Sequence, residues 1–250
     1  WFDTRQVDVI TDLTFSNVAL AVQKIADDKG RLALVTGAGS AAITNEQCNK
    51  STVHWMYDTY ALATGTARAL SAQGLKTWYF ITADYAFGHA LEKDARAIVL
   101  AQGGQVLGGV KHPVGISDMS SFLLQAQNSK AQVIGLANGG ADTINSIKSA
   151  REFGVDKSMK IASLVLFISD VHSLGLQAAQ GLTFTTSWDW NLNEQSRAFG
   201  RRFFEKTKRM PSEVQAANYS ATMNYLKAVQ ATRSTEGDRV MDWFRSTPLK

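Results

Sequence analysis

The 250-residue sequence predicts an α/β fold built on parallel sheets, and three observations lead there. Short apolar runs alternate with helical patterns from residue 7 to about 186. Several runs, such as Leu-Ala-Leu-Val at 32–35 and Val-Ile-Gly-Leu at 133–136, lack a polar alternate, as strands covered on both faces do. Glycines stand where the helical patterns stop, at Gly74, Gly103-Gly104 and Gly154. Strand–helix alternation of this kind is the signature of crossover units.

In chain order, the strands are expected at Val7–Thr11, Leu32–Gly37, Thr77–Thr82, Gln105–Val110, Val133–Ala137, Lys160–Phe167 and Leu182–Thr186. Asn17–Lys29 places Val18, Ala21, Val22 and Ile25 on one helical face. Asp58–Gln73 is an Ala-rich helix, and Phe87–Gln102 carries a stripe of Leu91, Ala95, Ile98 and Val99. Ser117–Asn128 and Ala141–Phe153 follow the same scheme. After Trp188 the texture changes to helices alone, at 193–208, 211–233 and 238–246, with Pro211 suited to a helix start. The change places a lobe boundary near 184–190, and a second falls near 55–60.

Composition narrows the function. Hydrophobic residues are 45% and charged residues 19%, as in ordinary globular chains. No stretch approaches the ~20 apolar residues of a transmembrane helix. The net charge of +4 is scattered, unlike the clustered charge of a nucleic-acid footprint. The single cysteine, Cys48, excludes an internal disulfide framework. The sequence begins at Trp1 without a basic n-region or apolar h-region, so any signal peptide has been removed or lies upstream.

Enzyme motifs are missing or incomplete. Leu34–Ile43 (LVTGAGSAAI) looks like the nucleotide loop of short-chain dehydrogenases, but Ala41 and Ile43 stand where that pattern needs glycines. No tyrosine has a lysine four residues on: Tyr57, Tyr60, Tyr79, Tyr85, Tyr219 and Tyr225 are followed there by Ala61, Thr64, Ala83, His89, Met223 and Val229. The stretch reads either as a plain Gly-rich turn or as an anion-binding turn offering N–H groups and hydroxyls from Gly39, Ser40, Ala41 and Thr44. There is no Gly-x-Ser-x-Gly elbow and no P-loop. His54, His89, His112 and His172 lack metal-ligand spacing and read as surface or hydrogen-bonded histidines. No catalytic residue, metal or cofactor is expected. In Phe80–Ala95 a strand ends at Thr82, and Asp84, Tyr85 and Phe87 occupy the connection to the next helix. Ligands of open α/β sheets bind at that carboxyl edge, so the two aromatics suit a pocket wall as well as a helix staple.

The order VDVITDLTFSNVALAV, LVTGAGSAAITNEQC, VHWMYDTYALATGTARAL, ITADYAFG and AQVIGLANGGADTINSIKSAREFGV resembles the type I periplasmic binding proteins. More narrowly, it is similar to the extracellular ligand-binding receptors of the branched-chain amino-acid ABC transporter family, over about residues 1–235. The resemblance implies two Rossmann-like lobes with a ligand cleft between them: 1–56 and 187–250 in lobe one, 57–186 in lobe two. It also implies that the chain starts after the first strand–helix units of lobe one and stops before its closing strands.

The site it implies is Phe15 and Ser16 after the first strand, the Ser40–Thr44 turn with Ser40, Ala41 and Thr44 for a carboxylate, and Tyr60 beyond the crossover residue Asp58. In lobe two it adds Asp84, Tyr85, Phe87 and Asn138. Amino-acid binders of the family place an acid after the strand at 161–166 to pair the substrate ammonium. Here Leu164–Phe167 carries none before Asp170, and a buried unpaired ammonium is costly. Phe167 and Trp188, with the other aromatics, then suit a flat apolar body with one anionic end, such as a benzoate- or cinnamate-like acid; a role in the core is the plainer reading of these two. The expectation is a periplasmic, monomeric solute-binding protein with a small carboxylate ligand and an ABC permease as partner, not an enzyme and not a nucleic-acid binder. The alternatives are an amino-acid binder, a ligand-sensing module of the same fold, and, from another class, an NAD-dependent oxidoreductase.

Overall fold

The computed structural model describes residues 1–249, and the chain divides into two compact units. The first comprises residues 1–56 and 190–250, the second 57–189. The expected boundary at 187 lies three residues earlier than this one.

The first unit holds a parallel sheet in the order β1-β2-β3, from β1 (Val9–Asp12), β2 (Leu32–Val35) and β3 (Thr52–His54). Helix α1 (Ser16–Asp28) joins β1 to β2, and a 3-10 turn (Ala41–Ile43) follows β2. The central strand explains its own sequence. Leu32 and Leu34 pack on Ala221, Tyr225, Ala228, Val240 and Met241, whereas Ala33 and Val35 lie with Ala26, Ala19 and Ile43 on the other face. All four are fully buried, so no position could be polar.

The second unit follows the same logic with more strands. β4 (Thr77–Ala83), β5 (Gln105–His112), β6 (Val133–Ala137) and β7 (Lys160–Ser163) form a parallel sheet in the order β5-β4-β6-β7. The helices are α2 (Thr59–Ala72), α3 (Ala86–Ala101), α4 (Ser120–Asn128), α5 (Ala141–Glu152), α6 (Ile168–Leu174) and α7 (Leu176–Ala179). Ile81, Ile134, Leu136 and Ile161 share a core with Leu123 and Ala126 of α4 and Ile147 and Ala150 of α5. On β4, Trp78 and Phe80 alternate with Tyr79 and Ile81 and so point to the opposite face. Both are fully buried with rings stacked 6.0 Å apart, and the Trp78 indole N–H donates to the Leu75 carbonyl at 3.1 Å.

Helices α8 (Glu194–Thr207), α9 (Glu213–Thr232) and α10 (Gly237–Ser246) complete the first unit. The Asn193 side chain accepts the Ser196 N–H and starts α8, and the Gln215 side chain accepts the Ser212 N–H at the start of α9. Among the described residues no helix is long and apolar enough to cross a membrane.

Three expectations are corrected. The run at 182–186 forms no strand: Thr183 makes a single bridge to Ala162, and Thr185 turns its side chain to α2. The strand expected at Lys160–Phe167 ends at Ser163, because its neighbour β6 ends at Ala137; the apolar residues Leu164–Leu166 are buried as a connection instead. The three-residue β3 is an additional strand, too short to show a period.

Candidate functional site

In a parallel sheet all strands deliver their C-terminal ends to one edge, and connections there are free to vary. On the first unit this edge is made by the segments after β1 and β2. Asp12 and Leu13 follow with positive φ (76° and 59°), a sparsely populated conformation for two successive non-glycine residues. The chain then passes Phe15, 48% exposed, and enters α1 at the buried Ser16. The Ser16 hydroxyl accepts the Ser40 N–H at 3.2 Å, so the two strand ends are tied together. The Ser40 hydroxyl accepts the Ala42 N–H at 3.4 Å and caps the 3-10 turn. Thr44 is exposed, and its hydroxyl donates to the Ala41 carbonyl at 3.4 Å. Phe15, Ser16, Ser40, Ala41 and Thr44 therefore share this edge. Sequence reasoning passed over Asp12 there. Among the described residues no cation or N–H pairs with its half-buried side-chain carboxylate.

On the second unit, Asp84, Tyr85 and Phe87 follow β4, Asn138 follows β6, and Phe167 precedes α6. Phe87 is buried with its ring 6.0 Å from that of Tyr85. Burial pushes the Tyr85 phenol up to about 12, and the charge of Asp142 adds to the rise. Gly88 makes the connection possible. A Cβ there would stand 2.1 Å from the Ala83 carbonyl oxygen and 3.1 Å from that of Ala137, so only glycine lets α3 start against both strand ends.

Asp84 is exposed; it accepts a hydrogen bond from His89 Nε2 at 2.7 Å, and Lys111 stands 3.7 Å away. Asn138 is fully buried and its amide is engaged inside the unit. It donates to His112 Nε2 at 3.1 Å and to Ser146 Oγ at 3.2 Å, and accepts from the Thr143 hydroxyl at 2.7 Å. His112 Nδ1 donates to the Pro113 carbonyl, which leaves Nε2 as the acceptor that Asn138 needs.

Phe167 lies 6.0 Å, ring to ring, from Tyr57, a buried residue that sequence reasoning left out of the site. Asp170, the first acid after β7, accepts the Phe167 N–H at 3.0 Å, and burial holds its carboxyl above the usual carboxylate range. Asp142 accepts the Gly115 N–H with both oxygens, at 3.0 and 3.1 Å. Tyr60 is exposed on the first turn of α2, whose start is capped by Asp58 accepting the Ala61 N–H at 2.7 Å. Trp188 is half-buried in a tight turn in which the Thr186 hydroxyl donates to its carbonyl at 2.9 Å.

The first unit's strand ends thus present hydroxyls at Ser16, Ser40 and Thr44, and the second unit's present the aromatics Tyr85, Phe87 and Phe167. A sequence model of the periplasmic binding protein family matches residues 1–250. This chain belongs to that family. A periplasmic binding protein from Burkholderia mallei is 52% identical with a TM-score of 0.98, covering 100% of this chain and 67% of its own. A branched-chain amino-acid ABC transporter periplasmic ligand-binding protein from Burkholderia xenovorans is 37% identical with a TM-score of 0.85, at the same coverage. The Leu/Ile/Val-binding protein homolog 6 of Brucella melitensis is 23% identical over 95% of this chain and 64% of its own length. A solute-binding protein from R. palustris in complex with benzoate is 20% identical, covering 96% of this chain and 68% of its own with a TM-score of 0.87, which is a likeness of fold. The chain thus spans about two thirds of the length of the relatives it matches. The fold is that of the type I periplasmic binding proteins, with parallel sheets in both units.

Proposed function

We propose that the chain is the ligand-binding part of a periplasmic solute-binding protein that delivers a small carboxylate to an ABC permease, without chemistry. The ligand carboxylate sits on the Ser40–Thr44 turn of the first unit. Tyr85 and Phe87, with Phe167 and the Tyr57 behind it, take the body of the ligand. A ligand bound by both units shifts their population toward a closed form that the permease recognises. Most of such a ligand is buried when it binds.

The observation that carries the aromatic-acid reading is the state of the acids on the second unit's edge. Asp84 already lies beside His89 and Lys111, and Asp142 and Asp170 hold backbone N–H groups of their own unit, so an ammonium group would have to share or displace these partners. A second reading, an α-amino acid, is favoured by Asp12, whose half-buried carboxylate lies beside the same edge as the Ser40–Thr44 turn. The kinship with a branched-chain amino-acid transporter component points the same way.

A thermal-shift series on the full-length protein with benzoate, cinnamate, leucine and valine separates the two. A ligand at a hundredfold excess over Kd stabilises the folded state by about 2.7 kcal/mol. A shift with benzoate or cinnamate and none with leucine is expected. A shift with leucine or valine, lost in Asp12→Asn, establishes the second reading and removes the first.

A further inference from the structure

We infer that His54 is a positioning residue for anion binding: its ring N–H fixes the turn that follows β2. His54 is the last residue of β3 and pairs with Val35 at the end of β2. Its Nε2 lies 2.8 Å from the Ala38 carbonyl oxygen. A carbonyl only accepts, so Nε2 carries the proton in this contact. The turn at 37–44 has little regular structure of its own to hold it. It is fixed by side chains from three directions: Ser16 from α1 on the Ser40 N–H, Ser40 itself on the Ala42 N–H, and His54 from β3 on Ala38. Ala38, Ser40 and Ile43 are all buried, so their backbone places the outward-facing part of the turn. The inference rests on the proposal that this turn receives the ligand carboxylate, which needs donors held in advance at fixed positions.

Two amides of different reach test it. Glutamine places its side-chain N–H close to the position of His Nε2, and asparagine falls short. Two readouts are taken on wild type, His54→Gln and His54→Asn: hydrogen exchange of the Ser40 N–H, and benzoate affinity by calorimetry. H54Q is expected to match wild type in both. H54N is expected to speed Ser40 exchange and to weaken benzoate about fivefold, the equivalent of one hydrogen bond of about 1 kcal/mol. Equal exchange in H54N and wild type overturns the inference, as does equal loss in H54Q and H54N. If benzoate fails to bind wild type, the aromatic-acid reading falls, while Ser40 exchange still decides the role of His54.

Discussion

Replacing Gly65 by alanine inverts the usual effect of such a change in a helix. Gly65 lies inside α2, where alanine is favoured over glycine by about 1 kcal/mol. A Cβ at Gly65 would, however, stand 2.3 Å from Thr185 Oγ1 and 2.8 Å from its Cγ2. Thr185 must move, and its hydroxyl contact with Thr66 at 2.9 Å goes with it. An added methylene in a packed site costs about 1–3 kcal/mol, and the lost hydrogen bond about 1 kcal/mol. Thr185 is half-buried and can give partway, so the overpacking belongs in the lower part of its range. After the propensity gain, G65A is expected to destabilise by about 1–2 kcal/mol. Urea unfolding followed by far-ultraviolet circular dichroism measures this. The decisive arm is the same change in a Thr185→Ala background. With Oγ1 and Cγ2 removed, the Cβ of residue 185 still stands 3.1 Å from the new methyl, a tight contact that offsets part of the propensity gain, so the cost of G65A is expected to fall to about zero in this background. Stabilisation by G65A in both backgrounds would refute the seating of the 183–186 segment on α2.

Asn138→Leu removes the amide that joins His112, Thr143 and Ser146, leaving buried polar groups without partners; a loss of about 3 kcal/mol or more is expected in the same unfolding assay. Asp170 has a folded-state pKa raised by burial, so the folded state holds the proton to higher pH than the unfolded chain does. Its contribution therefore turns against folding as pH rises from 3.8 through the raised value, and the penalty persists above it. Asp170→Asn keeps an acceptor for the Phe167 N–H, and its melting temperature at pH 7 is expected to exceed that of wild type, with the difference closing toward pH 4; a lower melting temperature at pH 7 contradicts this.

Much of the fold is legible because burial on both sheet faces writes itself into composition. Leu32–Val35 and Val133–Ala137 are apolar throughout, and the strands lie there. Helix ends carry their own chemistry, such as Asp58 before α2 and Gly74 after it. The misreadings fall where local pattern and tertiary partner disagree. Leu164–Leu166 is as apolar as a strand, but the ladder with β6 stops at Ser163. The candidate site divides in the same way. Strand-end position puts Tyr85, Phe87 and Phe167 on the carboxyl edge, and that much follows from the order of the elements. What a polar side chain does there depends on residues brought in from elsewhere. Asn138 looks free in sequence, yet His112, 26 residues away, takes its amide, and His54 gains its role only through Ala38.

The seclusion of Trp78 gives the second unit an optical label of its own. Trp78 is fully buried against Phe80, whereas Trp188, the other indole of that unit, is only half-buried. Trp1, Trp55, Trp190 and Trp243 belong to the first unit, and Trp1 is 79% exposed. Emission from Trp78 should lie at the blue end of the spectrum and resist quenching by acrylamide. The difference between wild type and Trp78→Phe then follows the loosening of one unit while the other stays silent.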